Sequence, residues 1–415
     1  MTRPAPARAK SGTTRGWFHD QPFQYTEQVP VYRSPVYPHG RQTTVRTVRA
    51  AVLESYAQPI EIRQLEQPAL QRDGILVDVT QAGICGTDVH ILQGNLPGPL
   101  PLILGHEAVG RVRELGPGVA QDALGQILHP GDLVGWASSI SCGTCYYCGA
   151  GEVTLCENRR VYGINQPATA WPYLSGGWAD QIYLRPGTTV VRLPAEVEPQ
   201  QVIALGCAGP TVIHGLSLDA TSQLNDGIVV VQGSGPVGLA ACMYAKLRGA
   251  SQVILIGAPA NRLRVARELG ACDLTLDIDE LTDPMERVEQ VLAQTPRRRG
   301  ADLVIEATGI PSAVDESMRL ARRNGVVLVL GQYTDKGFAA LNPHLITRKQ
   351  LTMRGSWAFG PKHYLEYVRS LDSLSSRFQL HTLVTTYDLA DVNTALKDMR
   401  SGDTIKPVLI CQRNP

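Results

Sequence analysis

Between residues 209 and 350, short apolar runs alternate with helical stretches, and this alternation restricts the chain to few architectures. "GIVVVQG" is followed by "PVGLAACMYAKLRGA", "QVILIGA" by "NRLRVARELGA", and "ADLVIEAT" by "SAVDESMRLARRNG" and then "VVLVLGQ". Runs too short for helices, spaced by helical patterns, predict an α/β fold with a doubly wound parallel sheet. Residues 46–208 read differently: "VRAAVLESY", "GILVDVTQAGI" and "AVGRVREL" are β-like runs punctuated by Gly and Pro. They predict a β-rich, barrel-like domain.

A chain of 415 residues is too long for one ordinary core, so two domains are the natural expectation. Residues 351–415 end in another β-like run, "KPVLICQ", and are expected to return to the first domain. Residues 1–45 are rich in Pro, Arg, Thr and Tyr without periodicity, and read as an irregular extension. Their basic, acid-poor start has some likeness to an organelle transit segment, while "GWFHDQPFQY" has the aromatic content to pack on a partner subunit.

Lys plus Arg number 39 and Asp plus Glu 38, a formal charge of +1. No long-range field attracts polyanions, and nucleic acid is disfavoured as a partner. No apolar run reaches about 18 residues, so no membrane span is expected. With no secretory leader pattern, the chain is read as soluble and cytoplasmic.

Within the alternating region, "GSGPVG" puts Gly233, Gly235 and Gly238 between a strand and a helix. Glycines there permit a tight turn, close approach of a pyrophosphate and packing of helix on strand, with the helix N-terminus facing the phosphate charge. A dinucleotide site is predicted. The next strand should end, about 20 residues on, with an acid for the adenine ribose of NAD. Gly257 stands there instead, which removes a repulsion against the 2′-phosphate of NADP. Arg262, five residues on, is placed either to hold that phosphate or to cover adenosine.

Four of the nine cysteines, Cys142, Cys145, Cys148 and Cys156, fall within "CGTCYYCGAGEVTLC". In a reducing compartment their thiols are free to bind metal, and four thiolates close a tetrahedral zinc site. An iron–sulfur cluster uses similar ligands, but this spacing fits neither common ferredoxin run. Such a zinc centre carries a net charge near about −2. Arg159 and Arg160 either balance it or are ordinary surface arginines.

A second polar cluster lies in "GICGTDVH", with Cys85, Thr87, Asp88 and His90, and in "GHEAVG", with His106 and Glu107. "LGCAGPT" adds Cys207 and Thr211 at the domain junction. Two thiolates and one imidazole leave zinc a fourth, open position, as catalytic sites require. Taken singly, Cys207 reads as a small buried hydrophobe and His106 as a hydrogen-bonded core histidine, and for isolated residues those readings would prevail.

These motifs, in this order, closely resemble the zinc-dependent alcohol dehydrogenases of the medium-chain dehydrogenase/reductase family, over about residues 46–415. The resemblance implies a GroES-like catalytic domain (46–208), a Rossmann domain (209–350) and a cleft between them. It implies Cys85, His106 and Cys207 as catalytic zinc ligands, Glu107 as an acid that can exchange onto the metal, and Asp88 as the partner orienting the histidine. Thr87 matches the hydroxyl at the substrate oxygen and His90 the residue passing its proton outward. Thr211 and Lys406 fall among the cofactor contacts, Lys406 on the pyrophosphate. Two zinc ions per chain, NAD or NADP, a small-molecule alcohol or carbonyl substrate and a dimeric or tetrameric homo-oligomer follow. A redox-inactive relative that binds nucleotide and zinc is the alternative. Gly86 departs from the pattern, standing where some members carry a basic phosphate contact.

Overall fold

The structure, a computed structural model, describes residues 46–218, 224 and 226–412. The readings made for residues 1–45 lie outside them.

Six parallel strands form the sheet of the second domain, in the spatial order Leu274–Asp277, Gln252–Gly257, Ile228–Gln232, Ala301–Glu306, Ala321–Val329, Thr352–Gly355. Numbered along the chain this is 3-2-1-4-5-6, the order of a Rossmann sheet. The central strand shows why the sequence takes this form. Val229, Val230 and Val231 are all fully buried; Val229 and Val231 join the core that holds Leu239 and Leu263, and Val230 joins the one that holds Val291 and Met318. Successive side chains of a strand point to opposite faces, so a continuous run of valines serves two helical layers. Helices Pro236–Leu247 and Ala260–Glu268 cover one face, and Pro284–Gln294 and Ser312–Leu320 the other. The sheet extends past residue 350 to include Thr352–Gly355, since the β-like pattern there pairs with Val326–Val329.

The β-rich part is built on a sheet ordered Val190–Arg192, Leu133–Trp136, Ala108–Leu115, Ile75–Gly83, Lys406–Ile410, Val384–Asp388, with Gln181–Leu184 also paired to Ile75–Gly83. Every pairing is antiparallel except that between the last two strands. The C-terminal residues therefore close the first sheet: Leu409 pairs with Ala82. A smaller antiparallel sheet, Glu61–Glu66, Thr47–Leu53 and Leu102–Ile103, packs into the same core around the fully buried Trp178 and Tyr183. The helix Ala208–Leu216 links the two sheets and packs against Pro361–Arg377; Tyr367 and Ile213 share its core.

Candidate active site

Four chain segments converge where the domains meet. Cys85 caps the short helix Gly86–Leu92, and its amide donates to Asp88 Oδ2 at 2.8 Å. Asp88 Oδ1 also accepts from the Gly105 amide at 3.3 Å and lies 3.4 Å from His106 Nδ1. One fully buried carboxylate thus fixes the Cys85 backbone and faces one ring nitrogen of His106, which leaves Nε2 for a metal. Cys207 heads the helix Ala208–Leu216, with its amide donating to Glu107 Oε2 at 2.8 Å. The metal-binding atoms of Cys85, His106 and Cys207 all lie within 4.8 Å of one another. Two sulfurs and a nitrogen so placed suit zinc with one position left open.

Charge at this centre is tightly arranged. The Cys207 thiol donating to Cys85 holds the Cys85 thiol well below its usual range, against the effect of burial. The same bond, with burial, raises Cys207. Burial alone would lower His106, but Asp88 carries it above its ordinary value. Burial raises Glu107, opposed by Lys406, whose Nζ is 2.5 Å from Glu107 Oε1. Burial would lower Lys406, and Glu107 lifts it above the normal ammonium range.

Thr87 and His90 occupy successive turns of the same short helix and line one cleft of about 1160 Å³ with the three metal-binding residues. No direct hydrogen bond joins them among the described residues. His90 Nδ1 is enclosed and has no partner, and burial lowers the imidazole's pKa, helped by Lys336. Thr211 and Gly235 line the same cleft, which continues into a second of about 910 Å³ bounded by Gly233, Gly257 and Arg262.

That second cleft has the shape of a phosphate cradle. A Cβ on Gly238 would lie 1.7 Å from the Gly233 carbonyl oxygen, whereas one on Gly235 would meet nothing within 4 Å. The first glycine is required for the helix to pack on the strand, and the second leaves room for a ligand. Gly257 has a reason the sequence did not show. Its Cβ would lie 2.8 Å from Ser234 Oγ and 2.9 Å from the Ser234 amide nitrogen, so the strand end and the glycine turn touch here. Arg262 Nη2 donates to the Thr404 carbonyl at 3.1 Å, while its Nε has no partner.

The four remaining cysteines also converge. Cys142, Cys145, Cys148 and Cys156 have their sulfurs within 4.8 Å of one another, with Cys142 and Cys148 at 4.0 Å. A metal–sulfur bond of about 2.3 Å sets tetrahedral sulfur separations near ~3.8 Å, so the cage fits zinc. Backbone amides support it: Cys142 N donates to Cys156 Sγ at 3.2 Å and Cys145 N to Cys142 Sγ at 3.4 Å. Donation from Thr144 pulls the Cys142 thiol down to about 5.

Lys406, expected at the pyrophosphate, has its ammonium on Glu107 and, at 3.5 Å, on the Ile84 carbonyl, because a buried carboxylate demands an opposite charge. Other residues gave no signal in the sequence. Arg287 and Glu316, an ion pair at 2.8 Å, line the nucleotide cleft from two helices of the Rossmann domain. Tyr333, stacked on Trp357 at 4.6 Å, lines the metal-side cleft. So does Arg159, whose place next to the cysteine motif was the only clue.

Comparison with known proteins agrees with this architecture. Residues 71–195 match the alcohol dehydrogenase GroES-like domain and residues 236–373 the zinc-binding dehydrogenase domain. The 5-exo-hydroxycamphor dehydrogenase of Pseudomonas putida is 36% identical over 338 residues, 81% of this chain and 91% of the relative. The sorbitol dehydrogenase of Halalkalibacterium halodurans is 28% identical, over 84% and 94%. The crystal structure of an alcohol dehydrogenase from Thermotoga maritima superposes with a TM-score of 0.82 at 36% identity, covering 88% of this chain and 99% of that one. A protein of the zinc-binding dehydrogenase type from Sinorhizobium meliloti 1021, solved bound to NADP, does so at 0.76 and 28% identity, covering 88% and 99%. The chain belongs to the zinc-dependent alcohol dehydrogenases of the medium-chain dehydrogenase/reductase family. It is a zinc-dependent, NAD(P)-linked oxidoreductase acting between an alcohol and the corresponding carbonyl. Among the described residues no helix is long and apolar enough to cross a membrane.

Proposed function

We propose that this chain holds two zinc ions, a catalytic one on Cys85, His106 and Cys207 and a structural one on Cys142, Cys145, Cys148 and Cys156. The observation that carries the reading is the convergence of the first three, within 4.8 Å, on the wall of a cleft that also contains Gly235 of the nucleotide turn. Zinc held by these residues would supply Lewis acidity towards an alcohol oxygen, and a bound nicotinamide would supply the hydride acceptor. The protein's own groups do the rest. Thr87 orients the substrate oxygen and receives its proton. His90 passes the proton outward; its Nδ1 has no partner, and the burial that lowers its pKa keeps the imidazole in the neutral form that can take a proton and release it again. Asp88 holds the His106 ring in register. Glu107 stands beside the metal position with Lys406 positioning it.

On the cofactor side, Gly233, Gly235 and Gly238 form the pyrophosphate turn, Thr211 faces the nicotinamide end, and Arg262 lies at the adenosine end beside Gly257. With no carboxylate at Gly257 to bind the ribose or repel a phosphate, both NAD and NADP serve. The outermost strand, Thr352–Gly355, pairs on one side only among the described residues, which supports a homo-oligomer, dimer or tetramer. A cytoplasmic location fits the reduced cysteine centres.

Zinc analysis together with nicotinamide absorbance against a panel of alcohols and carbonyls tests this. Two zincs per chain and turnover of one or more alcohols are expected. A single zinc in fully loaded protein overturns the metal assignment, and no turnover overturns the catalytic one.

A further inference from the structure

Two permanently charged cations line the metal-side cleft, and only one has a carboxylate. Lys406 is paired with Glu107. Arg159 has no carboxylate partner among the described residues: the titratable groups nearest its guanidinium are the Tyr333 phenol and the sulfurs of Cys207 and Cys156. Its Nη2 donates to Ser139 Oγ and to the Phe359 carbonyl, both at 2.9 Å. The Nε–H is enclosed without a partner, and the guanidinium's side-chain hydrogen bonds among the described residues are those two from Nη2. A guanidinium has five N–H donors in a rigid fork and keeps its charge in proteins. Two bonds fix this fork, and its remaining donors are unused on a side chain that lines the cleft of Cys85, His106 and Cys207.

Even a half-buried cation without counter-charge is costly, so its place here calls for an explanation. Balance of the thiolates is one, since Cys156 belongs to the four-sulfur cage. That role requires proximity to the cage, however, and not a place on the wall of the substrate cleft. Val161, Ile164, Leu330, Phe359 and Met399 give that wall its apolar part, beside the neutral polar groups of Ser138, Thr308 and Tyr333. On such a wall this fork is the one cation without a carboxylate partner among the described residues, and so the group suited to an anionic substituent rather than to a merely polar one.

We propose that Arg159 is the specificity residue of this site and binds a carboxylate on the substrate, so that the alcohol oxidised is a hydroxy acid with an apolar frame and the product the matching oxo acid. This rests on the catalytic reading of Cys85, His106 and Cys207 given above. The carboxylate takes no part in the chemistry. The carbinol C–H gives its hydride to the nicotinamide, the O–H proton leaves to solvent, and the acid group stays ionised on Arg159.

The test uses the zinc-loaded full chain with the 2-, 3- and 4-hydroxycyclohexanecarboxylates, each beside the methylcyclohexanol of the same substitution. At least one acid is expected to exceed its neutral counterpart in kcat/KM by tenfold or more. Arg159→Met should cut that acid by about 30-fold, chiefly through KM, and leave the neutral alcohols within about threefold, the scale of one charge-assisted contact. Arg159→Lys should recover part of the loss. Zinc content of each variant is measured alongside. If no acid exceeds its counterpart, or if Arg159→Met lowers acids and neutral alcohols alike or sheds zinc, Arg159 serves charge balance and the proposal fails. Neutral alcohols turned over in that case leave the catalytic reading intact, whereas silence from every alcohol overturns that reading instead.

Discussion

Lys406 Nζ lies 2.5 Å from Glu107 Oε1, with side chains only 3% and 1% exposed, and ties the last strand of the chain to the loop that carries His106. The other Glu107 oxygen holds the amide of Cys207. One carboxylate therefore connects three of the segments that build the catalytic centre, although its partners are 100 and 299 residues away in sequence.

Removal of one member of this pair leaves an uncompensated buried charge. Lys406→Met is expected to cost about 3–5 kcal/mol in denaturant unfolding, whereas Lys406→Met combined with Glu107→Gln should cost clearly less than the sum of the single changes. Additive losses would show that the two charges do not support each other.

The two cysteine centres should fail differently. Cys207→Ser should lose one zinc and nearly all activity, with secondary structure and solubility retained, because an open site contributes little to folding. Cys148→Ser should lower Tm and solubility, since binding energy at a closed cage is folding energy. Zinc content, circular dichroism and turnover on both variants separate the outcomes, and a soluble, fully active Cys148→Ser protein would contradict the assignment.

At Gly257 the contact with Ser234 changes what substitution can do. Gly257→Asp supplies a ribose-binding carboxylate, but its Cβ also presses on Ser234 Oγ and the turn amide at 2.8 and 2.9 Å. Affinity for both cofactors should fall, NADP further than NAD, with the kcat/KM ratio moving at least about tenfold towards NAD, roughly 1.4 kcal/mol. Gly257→Ala, which has the steric effect alone, should weaken both cofactors equally. A ratio change in the alanine variant as large as in the aspartate variant would remove the electrostatic explanation.

His363 stacks on His214 with ring centroids 4.4 Å apart, and its Nδ1 accepts from the Gly360 amide at 3.0 Å. Burial pushes its pKa down to about 3, with His214 and Lys362 adding to the effect. Since the unfolded chain takes up this proton near 6.5 and the folded chain does not, stability is fully present above that pH and falls as pH drops towards 3. The slope is about 1.4 kcal/mol per pH unit. His363→Gln keeps an acceptor for Gly360 and should remove that slope from the difference between variant and wild type between pH 6 and 4. Parallel stability curves would refute the assignment.

The sequence by itself determined whatever depends on local pattern. The valine-rich runs dictated a parallel sheet buried on both faces, the glycine spacing a phosphate turn, and the cysteine spacing a cage, because strand period, backbone sterics and metal geometry act over a few residues. Cys85, Asp88, His106, Glu107 and Cys207 were legible because their motifs resemble those of a known family; no local rule would have brought them together. Only the tertiary structure decided which groups face one another across domains. It set Lys406 on Glu107, filled the space at Gly257 with Ser234, joined Arg287 to Glu316 and put Arg159 on the wall of the cleft that holds Cys85, His106 and Cys207. The physical reason is that burial sets the cost of each charge, and burial is a property of packing between distant segments.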